Sequence, residues 1–133
     1  MPTTRKANDS IAAKVCLALT TGKCACENNT NISVEEQTAY GPHGNYRRRQ
    51  IDVSLHGHPI FKAFSDTSGT VLDNAISLTF AGYKKRLTTE RLNACLEGAG
   101  SKVRVRIRKG VCQAYVGGKS IDLDAGMWYS GST

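Results

Sequence analysis

The chain contains 133 residues, of which 40% are hydrophobic and 22% are charged, and this balance predicts a single globular domain. No segment approaches the roughly 20 consecutive apolar residues of a membrane-spanning helix, and the polar N-terminus does not resemble a signal peptide, so we expect a cytoplasmic protein. The net charge of +7 favours an anionic partner, such as a nucleotide, a nucleic acid or an acidic protein.

The N-terminal third has little apolar periodicity. Residues 1–9 are predicted to form a flexible tail, and one domain should span residues 10–133. Asp9 or Ser10 is predicted to cap a helix, because its side-chain oxygen accepts a backbone N–H group. The helix carries an apolar stripe, and a glycine ends it. Residues 23–44 contain few large apolar side chains, so we predict an irregular insertion that the core fold does not need.

From residue 45 onward the hydrophobic residues alternate, which predicts strands. The predicted strands are Ile51–Leu55, Ile60–Phe64, Ala75–Phe80, Val103–Ile107, Val111–Val116 and a last strand through Ile121 and Leu123. A second helix is predicted between the third and fourth strands, capped by Thr88 or Thr89. The fold class is therefore α+β, a single domain with a mainly antiparallel sheet and one or two packed helices.

The cysteines and histidines give little support to metal binding or catalysis. The five cysteines cannot complete a disulfide framework, so reduced thiols are predicted. The spacing of Cys24 and Cys26 differs from the usual zinc-binding pair, even if His43 supplies a further ligand, so we predict no metal and no cofactor. His56 and His58 share a strand end, which suits an acid–base pair, but histidines at hairpin turns are more often structural. Without a nucleophile elbow, a P-loop or a GxGxxG motif, no catalytic residue and no enzyme activity are predicted.

A basic strand face is the clearest charge pattern. In residues 102–108 the alternation places apolar side chains on one face and cations on the other. Like charges along one strand repel each other unless an anion or neighbouring acids intervene, so Arg104, Arg106 and Arg108 are predicted to bind phosphate. Residues 47–49 and 84–86 form two further basic clusters. The alternative for each cluster is an ordinary solvated surface.

The start of the second predicted helix is the segment most typical of a ligand site. Unpaired N–H groups at a helix N-terminus bind anions, and nearby hydroxyls and cations add to that attraction. The predicted phosphate ligands here are Arg86, Thr88, Thr89, Arg91 and Asn93. The predicted base-stacking residues are Tyr83 and Trp128. The alternative is simple helix capping, with Arg91 facing solvent.

Two runs in this region carry a resemblance to a known family. They are Ile76-Ser-Leu-Thr-Phe-Ala-Gly82-Tyr83 and Leu87-Thr-Thr-Glu-Arg91-Leu92-Asn93. Together they resemble a signature of small accessory proteins of bacteriophages. Leu55–Ile60 is similar to the Leu-His-Gly segment of that family, and Val103–Tyr129 to its closing hairpin, so the resemblance spans roughly residues 51–129. The chain departs from the signature at Leu87, where the family has threonine. The family has no assigned activity, so the resemblance implies a phage source and an architecture but no mechanism.

Three functions fit these patterns. The first is a non-catalytic phage anti-defence protein that sequesters a phosphorylated nucleotide signal, and such a protein would gain from forming a homo-oligomer, because shared pockets bury a small ligand more fully. The second is a nucleic-acid-binding accessory protein that uses the same cations along a groove. The third is a protein–protein inhibitor whose basic face contacts an acidic host target.

Overall fold

The computed structural model describes residues 4–27, 29–42, 44–66 and 71–131, which form two helices and nine strands. In chain order these elements are α1 (Thr4–Thr21), β1 (Ala25–Glu27), β2 (Thr30–Gly41), β3 (Gly44–Leu55), β4 (His58–Asp66), β5 (Val71–Leu78), α2 (Arg86–Gly98), β6 (Arg104–Arg108), β7 (Val111–Val116), β8 (Lys119–Leu123) and β9 (Tyr129–Gly131). The described strands pair antiparallel, so the predicted α+β class and mainly antiparallel sheet are confirmed. Within the described residues, neither helix has the length and apolarity needed to cross a bilayer.

The larger sheet has six strands in the order β1-β2-β3-β4-β5-β9. His56 and Gly57 form the turn between β3 and β4, with φ angles of 51° and 81°. Positive φ at both central residues gives a two-residue hairpin the same twist as its strands. Ile51, Val53 and Leu55 are buried on one face of the sheet, as their alternation predicts.

Both helices pack on this apolar face. The predicted stripe of Ile11, Val15 and Leu19 on α1 is buried in the same core cluster as the sheet residues. The two helices approach closely at Gly98, where a Cβ atom would lie 2.4 Å from the carbonyl oxygen of Ala12. Because no side chain fits in that space, Gly98 sets the separation of the helices.

The smaller sheet has three strands in the order β6-β7-β8, and α2 lies against its β6 edge. Asn93 of α2 forms direct hydrogen bonds with β6. The Nδ2 atom of Asn93 donates to the carbonyl oxygen of Val105 at 2.9 Å, and its Oδ1 atom accepts from the backbone N–H of Val105 at 2.7 Å. The side-chain amide of Asn93 thus pairs with β6 as a neighbouring strand would. It satisfies the backbone N–H and C=O groups of Val105, which is buried.

The predicted start of the first helix at Asp9 or Ser10 is wrong, because α1 begins at Thr4. The flexible-tail prediction therefore fails for residues 4–9, and residues 1–3 lie outside the described part of the chain. Arginine, lysine and alanine in this segment have high helix propensity, so the helix extends by more than a turn before its apolar stripe begins.

The prediction of an irregular insertion at residues 23–44 is also wrong. This segment contains β1 and β2, and β2 pairs with β3 along its whole length. Thr30 and Ile32 are buried in the sheet. Beyond Arg49, which contacts the last turn of α1, the two strands continue as a ribbon between residues 37 and 48, and the side chains described there are mostly exposed. A ribbon without a helix over it has no buried face, so its sequence shows no hydrophobic alternation.

Candidate functional site

The candidate site is built around the first turn of α2. Lys85 is the N-cap residue, with an extended backbone and no side-chain capping bond. The first intrahelical bond runs from the N–H of Thr89 to the carbonyl oxygen of Lys85 at 3.1 Å. The helix therefore begins with N–H donors that no capping side chain satisfies, which is the condition for attracting an anion.

The predicted capping role of Thr88 and Thr89 is wrong, because both residues lie inside the helix. The hydroxyl of Thr89 donates to the carbonyl oxygen of Lys85 at 3.1 Å, a bond from one helical turn to the preceding one. Thr88 is buried. The helix starts earlier than expected because Arg86 and Leu87 are strong helix formers that extend it toward the Gly82-Tyr83 turn.

On one side of this first turn lies a cavity of about 270 Å³, here called the apolar pocket. It is lined by Leu55, His56, His58, Ile60, Phe80, Tyr83, Lys85, Leu87 and Thr88. Aliphatic and aromatic carbon atoms make up most of its walls, and imidazole, phenol, ammonium and hydroxyl groups add polar atoms. The turn between β3 and β4 brings the histidines opposite the helix start. The arrangement is typical of a small-ligand site.

Tyr83 is held in place by a histidine of β4. Its hydroxyl oxygen lies 3.2 Å from Nε2 of His58, and the two rings are 5.1 Å apart at an angle of 50°. The ammonium group of Lys85 lies 6.0 Å from the centre of the tyrosine ring. The predicted stacking residue Tyr83 remains 42% exposed, so its ring is accessible to a ligand.

On the other side of the first turn is a wider, more open cleft of about 500 Å³, here called the basic groove. It is lined by Lys84, Arg86, Thr89, Glu90, Arg106 and Ile107. The Nε atom of Arg86 lies 3.1 Å from Oε1 of Glu90, but the arginine side chain is 90% exposed. Water screens so exposed a pair, which contributes less than about 1 kcal/mol, and a phosphate group can compete for the guanidinium.

The basic face of β6 is divided among different partners. The Nε atom of Arg106 donates to Oε1 of Gln113 at 3.0 Å, and its guanidinium lies 4.7 Å from the centre of the Tyr115 ring. Arg104 donates from Nη1 to two backbone carbonyl oxygens, each at 2.7 Å, whereas Arg108 is exposed. Of the three predicted phosphate ligands on this strand, only Arg106 lines the groove.

Three other predicted site residues lie away from both cavities. Arg91 is only 4% exposed, because it lies on the same face of α2 as the buried Thr88 and Cys95. Asn93 uses both polar groups of its side chain to hold β6. Trp128 lies near β4, with the ammonium group of Lys62 5.5 Å from its ring centre. Of the predicted set, the structure thus gathers Tyr83, Thr88, Arg86, Thr89 and Arg106 around the first turn of α2.

Sequence reasoning missed the histidines and Lys85 as parts of this site. The usable signal was the pair of histidines at a tight turn, together with Gly82-Tyr83 just before a helix start. The sequence offers no means of bringing these two segments together, because their contact depends on how β4 and β5 pair.

The two buried thiols are poor candidates for nucleophiles or metal ligands. Burial raises the pKa of Cys95 to about 12, against a smaller opposing effect of Arg91, so this thiol is protonated at neutral pH. Burial also raises the pKa of Cys112. Across the described residues no group of three histidine, cysteine or acidic side chains could hold a metal ion, and His43 lies outside those residues.

Comparison with family models, curated proteins and solved structures finds no match to this chain.

Proposed function

We propose that this chain is a non-catalytic anti-defence protein of a bacteriophage, acting in the host cytoplasm, which binds and sequesters a phosphorylated nucleotide signal. One observation carries the proposal. The first turn of α2 separates an apolar pocket from a basic groove, and neighbouring residues along the chain line opposite sides, Lys85 on the pocket and Lys84 and Arg86 on the groove. A ligand with an uncharged part and a phosphate part can span such a turn.

The basic groove is the proposed phosphate subsite. It combines three cations, Lys84, Arg86 and Arg106, with a single acid, Glu90, and with Thr89, whose hydroxyl donates to the carbonyl oxygen of Lys85. Guanidinium groups bind phosphate through short, charge-assisted hydrogen bonds, and the positive end of the α2 dipole adds to the attraction. The net charge of +7 raises the local concentration of anions further.

Sequestration, rather than turnover, is supported by the groups around the site. A sponge needs only affinity, whereas an enzyme needs a nucleophile or a proton-transfer group aimed at the reacting atom. His58 is hydrogen-bonded to Tyr83, and the buried thiols of Cys95 and Cys112 line neither cavity and have raised pKa values. The resemblance to phage accessory proteins supplies the biological setting of the proposal.

Homo-oligomerisation belongs to the same proposal, because the groove is open and a second copy would enclose the ligand. The smaller sheet offers apolar surface for such a contact, since Val116 and Ile121 are both exposed.

Nucleic-acid binding is the second candidate. It is favoured by the ribbon between residues 37 and 48, which exposes Tyr40 on the same face as Arg47 and Tyr46 on the opposite face. Aromatic rings and cations together suit single-stranded nucleic acid.

Calorimetric titration of the purified chain with a panel of mononucleotides, linear and cyclic dinucleotides and oligonucleotides tests the proposal. We expect a nucleotide to bind, and Arg86→Ala and Arg106→Ala each to weaken it roughly tenfold. Arg47→Ala is the matched control, because it removes an exposed arginine that lines neither cavity, and it should leave nucleotide affinity unchanged.

The salt dependence distinguishes the candidates. Binding to a long polyanion weakens steeply and log-linearly with salt, whereas a small enclosed ligand responds less. Tight oligonucleotide binding with a steep slope, together with no nucleotide binding, would favour the nucleic-acid function. If no ligand in the panel binds, the proposal is wrong and inhibition of a host protein becomes the better hypothesis.

A further inference from the structure

We infer that the apolar pocket is a base subsite that selects a heteroaromatic ring with hydrogen-bond acceptors on its polar edge, as guanine and hypoxanthine have. This inference rests on the proposed function, because it assigns the second half of the same ligand. It adds selectivity for the base of the nucleotide, which neither the net charge nor the basic groove can provide.

The size of the pocket limits what enters it. Its volume of about 270 Å³ lies near the lower end of the range for small-molecule sites, which suits one ring system with its sugar and not a whole dinucleotide. The walls come from Leu55, Ile60, Phe80 and Leu87, so the faces of an inserted ring would meet carbon atoms. Desolvating a flat ring between such walls is favourable, whereas desolvating a phosphate is not.

Of the polar side chains that line this volume, those of His56, His58, Tyr83 and Thr88 can donate or accept a hydrogen bond, so the fixed preference comes from the lysine. Lys85 carries an ammonium group, which donates and cannot accept. The first turn of α2, which reaches the pocket through Leu87 and Thr88, begins without a capping side chain, so its N–H groups are donors as well. A ring with hydrogen-bond acceptors on adjacent atoms of one edge can accept hydrogen bonds from the Lys85 ammonium group and from these N–H groups.

This donor bias discriminates among purines. Lysine pairs readily with the O6 and N7 acceptors of guanine. Adenine presents an amino group where guanine presents O6, so a donor would face a donor and both would lose their water without gaining a partner. Hypoxanthine keeps O6 and N7 and lacks only the 2-amino group, so it should bind like guanine if those two atoms are what the pocket reads.

Tyr83 is the positioning residue for the ring. Tyr83 is 42% exposed, and the hydrogen bond between its hydroxyl group and Nε2 of His58 ties it to β4. A tyrosine fixed in this way stacks on a base without first losing conformational freedom. Because it is partly exposed and lies in a turn, its replacement should leave the fold intact.

The test compares four probes by calorimetric titration of the full chain: GMP, IMP, AMP and inorganic pyrophosphate, which has no base. We expect GMP and IMP to bind with similar affinity, and AMP roughly tenfold more weakly. Pyrophosphate should bind weakly through the groove alone.

Two variants locate the selectivity. Lys85→Met keeps the aliphatic stem and removes the donors, so it should reduce the binding of GMP to that of AMP and leave AMP unchanged. Tyr83→Ala should weaken all three nucleotides and leave pyrophosphate unchanged. Lys119→Met is the matched control, because it removes an exposed lysine from β8, and it should change nothing. Thermal unfolding of each variant confirms that it is folded, and the Tyr83 variant alone still tests the subsite if the Lys85 variant is not.

The outcomes separate the inference from the proposed function. If pyrophosphate binds and the three nucleotides bind no more tightly, the base subsite is wrong while the phosphate subsite survives. AMP binding as tightly as GMP would overturn the assigned selectivity. If neither pyrophosphate nor any nucleotide binds, both the inference and the proposed function fail.

Discussion

Two basic triplets of this chain look alike in sequence and differ in structure. Residues 47–49 are all arginines in β3, and residues 84–86 are Lys-Lys-Arg at the start of α2. In the first triplet every guanidinium has a partner. Arg47 pairs with Glu36 at 3.2 Å, and Arg48 donates to Gln37 at 3.1 Å and lies 4.6 Å from the ring centre of Phe64.

Arg49 is the member of this triplet most deeply bound into the fold. Its Nη1 atom donates to the carbonyl oxygens of Leu19 and Thr20 at 3.2 and 2.8 Å, and its Nε atom pairs with Glu36 at 3.1 Å. It therefore caps the C-terminus of α1, where unpaired carbonyls and the negative end of the dipole favour a cation. The second triplet lines two cavities instead, and its members are exposed, although Arg86 pairs with Glu90 at 3.1 Å. Charge density alone does not locate a site, because the partners of each cation decide whether it serves the fold or a ligand.

The largest effect should come from removing the strand that gives the first triplet its partners. A chain in which Gly22 is joined to Asn45 by a short linker loses β2, and with it the buried Thr30 and Ile32. We expect this chain to lose its cooperative thermal transition, because β3 would become an uncovered edge and Arg49 would lose Glu36.

The matched control removes only the ribbon tip. Replacing residues 38–47 with Asn-Gly keeps the register of Gln37 with Arg48 and should cost less than about 1 kcal/mol, because these residues are largely solvated. A cooperative transition in the larger deletion would show that the strand is dispensable, as the sequence suggested.

A smaller effect should distinguish the triplets directly. Arg49→Met should destabilise the protein by about 2–4 kcal/mol, because it removes a largely buried cation that satisfies two helix carbonyls and a carboxylate. Arg86→Met, at a side chain that is 90% exposed, should change stability by less than about 0.5 kcal/mol. Urea unfolding of both variants measures the difference, and equal losses would contradict the division between a structural and a ligand-facing triplet.

The smallest of the three effects concerns Asn93, a predicted ligand that the structure assigns to the fold. Asn93→Ala should cost about 2 kcal/mol, because the backbone N–H and C=O of buried Val105 would lose their partner. At temperatures where the variant stays folded, nucleotide affinity should match that of the parent chain. Asn45→Ala, on the exposed ribbon, is the control for a neutral change. If Asn93→Ala lowered nucleotide affinity without lowering stability, Asn93 would be a ligand-binding residue and this prediction would be wrong.

Local patterns predicted much of the region from residue 51 to residue 123. Strands β3, β4, β6 and β7 each bury one face in the core, and their hydrophobic alternation follows from that burial. β8 was predicted from the same alternation, although its side chains are mostly exposed. The apolar stripe of the first helix was predicted for the same reason. Alternation could not reveal the ribbon of residues 37–48, because neither of its faces is covered, and it could not place the helix starts, which depend on propensity over a few residues.

The sequence by itself determined the fold class, the apolar face of the sheet and the excess of cations, since these follow from short-range periodicity and composition. Only the tertiary structure decided what each cation does. Arg49 meets the carbonyl of Leu19, a residue 30 positions earlier in the chain, and Arg91 is buried because its face of α2 packs against the core. His58 likewise contacts Tyr83, a residue 25 positions later in the chain, because the packing of β4 against the start of α2 brings them together. Contacts between distant segments leave no periodic trace in the chain, so partners and pockets emerge only when strands and helices are packed together.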